Sequence, residues 1–323
     1  MQQAVILRTP GGPAALGIEP IEVGEPGAGQ VRLRQTYVSV NFHDCYVRSG
    51  LYKTLPLPGI PGLEAVGVVE AVGAGVTSVK PGDRVAYLTR AYGGYASHRL
   101  IDADILVRIP DGIEDRVVGA LFLRGLTAIM LVDQVFPVRA GHTVLVHAAA
   151  GGVGRLVCQL AKHAGATVIG TAGSEAKAEV ARASGCDHTI LYRSVDFVAS
   201  VRELTNGRGV DVAYDAVGKD TFQGSLESLA MRGHLVNYGQ ASGPIAPFEI
   251  SQLFAKSNSV SRPAVFHYFT GDDREPMAKR FFGALADGII TADQSHEYAF
   301  ADVARAHEDL EARKTTGAVL LKV

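Results

Sequence analysis

The chain has 323 residues, of which 47% are hydrophobic and 20% are charged, and its formal net charge is −2 at pH 7. A chain of this length and composition buries a sizeable core, and we expect two domains. Its scattered and nearly balanced charges argue against nucleic acid as a partner and against attraction to an acidic membrane surface.

The cysteines and the apolar runs indicate the cellular compartment of the protein. The three cysteines are widely spaced and contain no C-x-x-C pair, which argues against a disulfide framework and a cysteine-rich zinc site. No apolar run approaches the length of a membrane span, and Arg8 and Pro10 interrupt the N-terminal segment before a signal sequence could form. We expect a cytoplasmic protein with no membrane partner.

The first third of the chain has the pattern of an antiparallel sheet. From residue 4 to about 110, short β-branched runs alternate with glycine and proline, as in QVRLRQTYVSV, LEAVGVVEAVG and DRVAYL. Runs of this kind, bounded by turn residues, are typical of strands joined by hairpins. We expect a barrel-like unit here.

From about residue 121, strands and helices alternate. The apolar runs TVLVH, TVIGTA, HTILY, VDVAYD and HLVNYG each neighbour a helical pattern of about a dozen residues. Repeated strand–helix units predict a parallel sheet covered on both faces. After about residue 263 the pattern is mixed, with a helix near 275–287 and a final strand, AVLLKV, that we expect to pair with the first domain.

A glycine-rich turn lies between the run TVLVH and the next helix. Apolar residues recur from Val153 to Ala164 at helical spacing, so the helix begins inside the glycines. Such a turn presents backbone N–H groups and the helix dipole to a pyrophosphate. Ala149 replaces the first glycine of the usual pattern, and a merely tight turn is the alternative. We favour dinucleotide binding by the turn residues Ala150, Gly151, Gly152, Val153 and Gly154.

The segment that follows the second strand favours NADP(H) over NAD(H). An NAD-specific site places an acid about 20 residues after the glycines, but here the sequence reads Thr-Ala-Gly-Ser over residues 171–174. Ser174 can donate a hydrogen bond to a 2′-phosphate, and Lys177 can supply positive charge. Glu175 either caps the following helix, which we favour, or weakens the phosphate site.

Four motifs together extend this interpretation to the whole chain. The segments NFHDCYVRSGLY, VGAGVTSVKPGDRV, RGLTA and AAAGGVGRLVCQLAKHAGATVIGT resemble the zinc-free, zeta-crystallin-like quinone oxidoreductases of the medium-chain dehydrogenase/reductase superfamily. The resemblance implies a GroES-like β-barrel catalytic domain (1–122 and 264–323) and a doubly wound Rossmann NADPH-binding domain (123–263), an α/β fold. It also implies a homodimer, with a tetramer as the alternative, and a cleft in which a quinone meets the nicotinamide.

The resemblance implies particular site residues. Asn41, Tyr46 and Tyr52 correspond to the catalytic site, although a half-buried core role is the alternative for each tyrosine. Further positions correspond to cofactor contacts: Thr127, Gly173, Tyr192, Gly239, Gln240 and Arg313. Arg262 also fits a position near the cofactor, or a domain-interface ion pair. His43 departs from the apolar residue that is common beside Asn41.

Zinc-dependent relatives in this superfamily carry a cysteine and a histidine where this chain has Asn41 and Leu63. An amide and a leucine cannot replace a thiolate and an imidazole as zinc ligands, so we predict no metal. Without a Lewis acid, an electron-poor quinone is the favoured small-molecule substrate. The alternatives are reduction of enals, enones or enoyl thioesters, and a non-catalytic crystallin-like role in NADPH or RNA binding.

Overall fold

The computed structural model describes residues 1–292 and 295–323, which form two compact units, Met1–Leu123 with Ala292–Val323, and Arg124–Thr291. Each unit has its own hydrophobic core. The second unit retains residues 264–291, which the sequence analysis assigns to the first domain. The boundary between the two compact units therefore lies near residue 292 rather than near residue 264.

The first unit begins with short strands and one helix. In chain order they are β1 (Gln3–Leu7), β2 (Leu16–Pro20), β3 (Gln30–Val40), α1 (Phe42–Ser49), β4 (Glu64–Val72), β5 (Arg84–Leu88), β6 (His98–Asp102) and β7 (Val107–Arg108). Strand β3 is the centre of this unit and pairs antiparallel with both β4 and β6. Its side chains alternate, so that Val31 and Leu33 are fully buried while Arg34 is exposed.

Helix α2 (Asp115–Ile129) begins in the first unit, extends into the second and continues there as a π-helical segment (Met130–Val135). A set of strands and helices follows it in the second unit. These are β8 (Thr143–Val146), α3 (Gly152–His163), β9 (Thr167–Ala172), α4 (Glu175–Ala183), β10 (His188–Leu191), α5 (Phe197–Leu204), β11 (Val210–Asp215), α6 (Phe222–Glu227), β12 (Leu229–Asn237), β13 (Ser259–Ser261) and α7 (Arg274–Ala286). All strands of its sheet are parallel, in the order β10-β9-β8-β11-β12-β13. This order is that of the Rossmann fold, which confirms the predicted fold class.

The chain then returns to the first unit through β14 (Ser295–Ala299), α8 (Val303–Glu311) and β15 (Ala318–Lys322). Strand β15 pairs antiparallel with β3, and β14 pairs parallel with β15. The predicted pairing of the C-terminal strand with the first domain is therefore confirmed.

The sequence predicts no apolar segment long enough to span a membrane, but the helix over residues 115–135 has that length and composition. It is the one helix within the described residues that is long and apolar enough to cross a membrane. However, 72% of its most apolar window is buried inside the protein, as in the core helix of a globular fold.

Candidate active site

The glycine turn joins the end of β8 to the start of α3. A Cβ atom at Gly154 would lie 2.3 Å from the carbonyl oxygen of Ala148, and at Gly151 it would lie 3.0 Å from the same oxygen. Only glycine therefore permits the chain to follow this path at residue 154. No side chain caps the helix start at Gly151, so the first N–H groups of α3 lack intrahelical partners and can bind a phosphate.

Ala149, which replaces the first glycine of the usual pattern, is fully buried. Its methyl group fits because the neighbouring strand has a glycine: a Cβ atom at Gly170 would lie 2.7 Å from the Cβ atom of Ala149. Gly170 could not be predicted from the sequence, because Ala149 is brought close to it only by the pairing of β8 with β9.

The end of β9 carries the residues expected at a 2′-phosphate. Tyr192 packs on Gly173, where an added Cβ atom would lie 2.8 Å from the phenol oxygen. Ser174 is the N-cap of α4, and its hydroxyl oxygen accepts a hydrogen bond from the Lys177 N–H at 3.4 Å. The Lys177 ammonium group has no ion-pair partner among the described residues. Ser174, Lys177 and Tyr192 are thus grouped beside one strand end.

Glu175 is the acid that could weaken such a phosphate site. It lies in the first turn of α4 and forms an ion pair with Arg182. Arg182 also binds Glu179 at 2.8 Å. The negative charge of Glu175 is therefore partly balanced by a neighbouring guanidinium.

The remaining cofactor-binding candidates of the second unit lie after β12 and on α2. Gly239 follows β12, and an added Cβ atom there would lie 2.6 Å from the carbonyl oxygen of Ala216. Gln240 comes next, and Thr127 lies on α2. Since the carboxyl ends of parallel strands meet at one sheet edge, the segments after β8, β9, β11 and β12 lie along the same edge.

Arg262, the residue after β13, contacts the segment that carries Gly239, one of the cofactor-binding candidates. Its guanidinium donates hydrogen bonds to the side-chain oxygen of Asn237 and, at 3.4 Å, to the carbonyl oxygen of Gly239. Asn237 also donates to the Gly239 carbonyl at 3.0 Å. These bonds hold the backbone of residues 237–239 beside the sheet edge.

A buried polar network supports the same edge. His147, the residue after β8, lies 3.1 Å from the hydroxyl of Thr171 and 3.0 Å from that of Ser225. Asp215, at the end of β11, accepts hydrogen bonds from the N–H groups of Val217 and Gly218. Burial lowers the pKa of His147, although the nearby Asp215 carboxylate opposes this effect. The network satisfies groups that would otherwise be costly to bury.

In the first unit, Asn41 is the N-cap residue of α1 and is only 7% exposed. Its backbone N–H donates to Asp44 at 2.8 Å, and its side-chain amide donates to Glu64 at 2.9 Å. The other carboxylate oxygen of Glu64 accepts the N–H of Leu123 at 2.8 Å. The orientation of the Asn41 amide is therefore fixed by a buried carboxylate.

Tyr46, on α1, and Tyr52, shortly after it, lie against each other. Their ring centroids are 5.2 Å apart with an interplanar angle of 65°, and the Tyr52 N–H donates to the Tyr46 carbonyl at 3.0 Å. His43 makes a similar edge contact with Tyr52 at 5.3 Å. The three rings form a continuous aromatic surface. Arg313, the last candidate, is exposed and follows α8 in a left-handed conformation.

The positions considered for zinc carry no metal ligands. Leu63 is 2% exposed and belongs to the core, while Asn41 is engaged with Glu64. Within residues 1–292 and 295–323, no group of three or more His, Cys, Asp or Glu side chains is placed to hold a metal ion.

Comparison with known proteins gives full-length matches. A family model described as zinc-binding dehydrogenase matches residues 152–282, and one described as alcohol dehydrogenase GroES-like domain matches residues 27–111. A quinone oxidoreductase of Pseudomonas aeruginosa is 43% identical over 96% of both chains. A 2-haloacrylate reductase of Burkholderia is 40% identical over 99% of both. The crystal structure of Escherichia coli quinone oxidoreductase complexed with NADPH has a TM-score of 0.96 and 37% identity, covering 99% of this chain and 100% of the other.

Proposed function

The chain belongs to the quinone oxidoreductase branch of the medium-chain dehydrogenase/reductase superfamily, and we propose that it is an NADPH-dependent quinone oxidoreductase. The observation that carries this proposal is the match, over nearly the whole chain, to a quinone oxidoreductase whose structure contains NADPH. The geometry of the glycine turn and of the end of β9 supports it independently.

The residues of the second unit fit the cofactor. The close approach of Gly151 and Gly154 to the Ala148 carbonyl leaves no side chain over the helix start, where the pyrophosphate would bind. Ser174, Lys177 and Tyr192 would hold the 2′-phosphate. When bound, NADPH supplies hydride from C4 of its nicotinamide.

Asn41, Tyr46 and Tyr52 are the residues that we propose for the substrate. The two tyrosine rings offer aromatic surface to a planar quinone, and their hydroxyl groups can donate hydrogen bonds. Asn41 is held in one orientation by Glu64, so its amide can position a bound molecule without reorganisation. We propose that no metal takes part, because an amide and a leucine occupy the positions considered for zinc ligands.

Reduction of a conjugated carbonyl compound is the second candidate function. It is favoured by the 40% identity, over 99% of both chains, to a 2-haloacrylate reductase. A quinone and a conjugated acid both accept a hydride equivalent from NADPH, so the same cofactor site serves either reaction. The acceptor distinguishes the two candidates.

Steady-state oxidation of NADPH by the purified protein, with a para-quinone, a simple enone and 2-chloroacrylate in parallel, tests the choice. We expect the quinone to be turned over with the highest kcat/KM, and we expect added chelator to leave that value unchanged. Turnover of the enone or the haloacrylate alone would favour the second candidate. Loss of activity that zinc restores would contradict the metal-free proposal.

We further propose that the protein is a cytoplasmic homodimer. Its three cysteines are unpaired and buried, which suits a reducing compartment. Strand β13 lies at one edge of the second unit's sheet, and large apolar side chains near this edge are exposed, namely Met231 (68%), Ile250 (78%) and Phe254 (88%). A terminal sheet strand with exposed apolar groups nearby suits pairing with a second copy.

A further inference from the structure

His43 is connected to the protein by a short chain of hydrogen bonds. Its Nε2 atom lies 3.0 Å from the hydroxyl oxygen of Tyr92, and that hydroxyl is also hydrogen-bonded to the hydroxyl of Thr54. Tyr92 is 5% exposed, whereas Thr54 is exposed to solvent. This series of hydrogen bonds therefore runs from the surface of the first unit to the imidazole ring of His43.

The chemistry of the three groups sets the direction of these bonds. A phenol is a stronger acid than an aliphatic hydroxyl, and an imidazole nitrogen is a stronger base than a hydroxyl oxygen. On this ground we assign Tyr92 as the donor to Nε2 of His43 and Thr54 as the donor to Tyr92. This pattern places the single imidazole proton on Nδ1, and that atom has no hydrogen-bond partner in the part of the chain that the structure describes.

The backbone holds Tyr92 in this position. Tyr92 has φ of 58°, and Gly93 follows with φ of 87°. A tyrosine in the left-handed region is uncommon, and such residues persist where surrounding contacts determine them. The contacts of the Tyr92 hydroxyl with His43 and Thr54 are of this kind.

His43 is uncharged at neutral pH. Burial lowers the pKa of its imidazole to about 4. The titratable group that is hydrogen-bonded to His43 is Tyr92. The charges of Asp44 and Arg90 shift the pKa of Tyr92 in opposite directions. The ring of His43 also makes an edge contact with the ring of Tyr52. The His43 imidazole is therefore a neutral hydrogen-bond donor over the near-neutral pH range in which quinone reduction is assayed.

We propose that His43 is a catalytic residue whose Nδ1–H donates a hydrogen bond to the substrate oxygen that gains negative charge, and that Tyr92 and Thr54 are its positioning residues. The ring contact of His43 with Tyr52, and of Tyr52 with Tyr46, places the imidazole on the aromatic surface assigned to the substrate. The inference rests on the proposed function for the identity of that substrate. A fixed neutral donor stabilises a developing oxyanion without the cost of burying a cation.

Three substitutions separate donation from packing. His43→Asn retains an N–H near the position of Nδ1, His43→Gln retains only a group near Nε2, and His43→Phe retains only the ring. We expect the Phe and Gln variants to lose about 10- to 100-fold in kcat with a para-quinone, and the Asn variant to stay within about threefold of the unsubstituted protein. The KM for NADPH should not change in any of them.

The positioning residues have a smaller predicted effect. Tyr92→Phe removes the bond that fixes the imidazole tautomer but leaves Nδ1–H possible, so kcat should fall by about threefold to tenfold, less than in His43→Phe. Calorimetric binding of a hydroquinone gives a readout independent of turnover. It should weaken about tenfold in His43→Phe and remain near the original value in His43→Asn.

The opposite order would overturn the inference. If the ring only packs, His43→Phe keeps full activity and hydroquinone affinity, whereas His43→Asn loses both. The proposed function is tested separately by the unsubstituted protein. Absence of quinone turnover there refutes the proposed function, and the hydroquinone titration of the same variants then decides whether His43 donates to a bound ligand.

Discussion

Lys177 is the residue that we propose distinguishes NADPH from NADH. Its ammonium group has no ion-pair partner among the described residues, and it lies one turn from the helix cap Ser174. Replacement by alanine would remove the proposed charge-assisted contact with the 2′-phosphate, so we expect NADPH to bind about 10- to 100-fold more weakly. NADH, which lacks that phosphate, should bind as before, and calorimetric titration with both cofactors measures the difference.

Lys279→Ala is the matched control, because Lys279 also belongs to the second unit and is exposed on α7, where it pairs with Glu275 at 2.8 Å. This variant should bind both cofactors normally. Equal weakening of NADPH and NADH by Lys177→Ala would contradict the assignment of Lys177 to the 2′-phosphate.

The sequence predicts such residues where a motif fixes their spacing from a strand. The turn at 149–154 can be predicted because it directly follows an apolar run and precedes a helical pattern. Ser174 and Lys177 can be predicted from their distance along the sequence beyond the glycines. Gly170, Tyr92 and the His147 network could not be predicted in this way, because each depends on partners from other elements. Their roles appear only when the strands pair and the loops fold back.

Helices α1 and α8 are joined by a buried polar cluster within the first unit. The Arg48 guanidinium lies 3.2 Å from His307 and donates to Glu311 at 2.7 and 2.8 Å, and the Tyr95 hydroxyl lies 3.0 Å from the other His307 nitrogen. Cys45 lies 3.5 Å from the same imidazole, but burial raises the pKa of its thiol well above the usual range. The cluster is therefore a structural link between the two helices rather than a nucleophilic pair.

His307 makes the stability of this link dependent on pH. Burial, together with the Arg48 charge, lowers the pKa of the imidazole to about 3 in the folded protein, compared with about 6.5 when unfolded. Since the folded state binds fewer protons, the contribution to stability is present above pH 6.5 and is lost as the pH falls towards 3. The expected slope is about 1.4 kcal/mol per pH unit.

Urea unfolding of the unsubstituted protein and of His307→Gln between pH 7 and pH 4 measures this contribution. The variant should be less stable at pH 7 and should lose stability less steeply on acidification. Parallel pH dependence of the two proteins would show that His307 does not titrate on unfolding.

Most elements could be predicted from periodicity and turn residues. The expected strands at 143–147, 167–172, 188–192 and 210–215 agree with β8, β9, β10 and β11 within one residue, and the helix expected near 275–287 is α7 at 274–286. Strand β13 was missed, because a three-residue strand in a polar segment has no hydrophobic periodicity to detect. The length of helix 115–135 was also missed, because its charged residues interrupt the apolar run.

For the whole molecule, the exposed apolar side chains near β13 predict self-association. Phe254, at 88% exposure, is the most exposed aromatic residue among those described. We expect Phe254→Asp to shift the protein from dimer to monomer in size-exclusion chromatography with light scattering, because burying an unpaired carboxylate opposes association. Leu204→Asp, at another exposed apolar site of the second unit, should leave the dimer intact. A monomeric unsubstituted protein would refute the assembly.

We propose above that NADPH donates hydride to a quinone in this protein. The most direct measurement is the ratio of kcat/KM for NADPH to that for NADH, with one para-quinone at saturation. The lack of an acid at residues 171–174, with Ser174, Lys177 and Tyr192 nearby, predicts a ratio of at least about 10. A ratio near one, or turnover with NADH alone, would contradict the proposed use of NADPH.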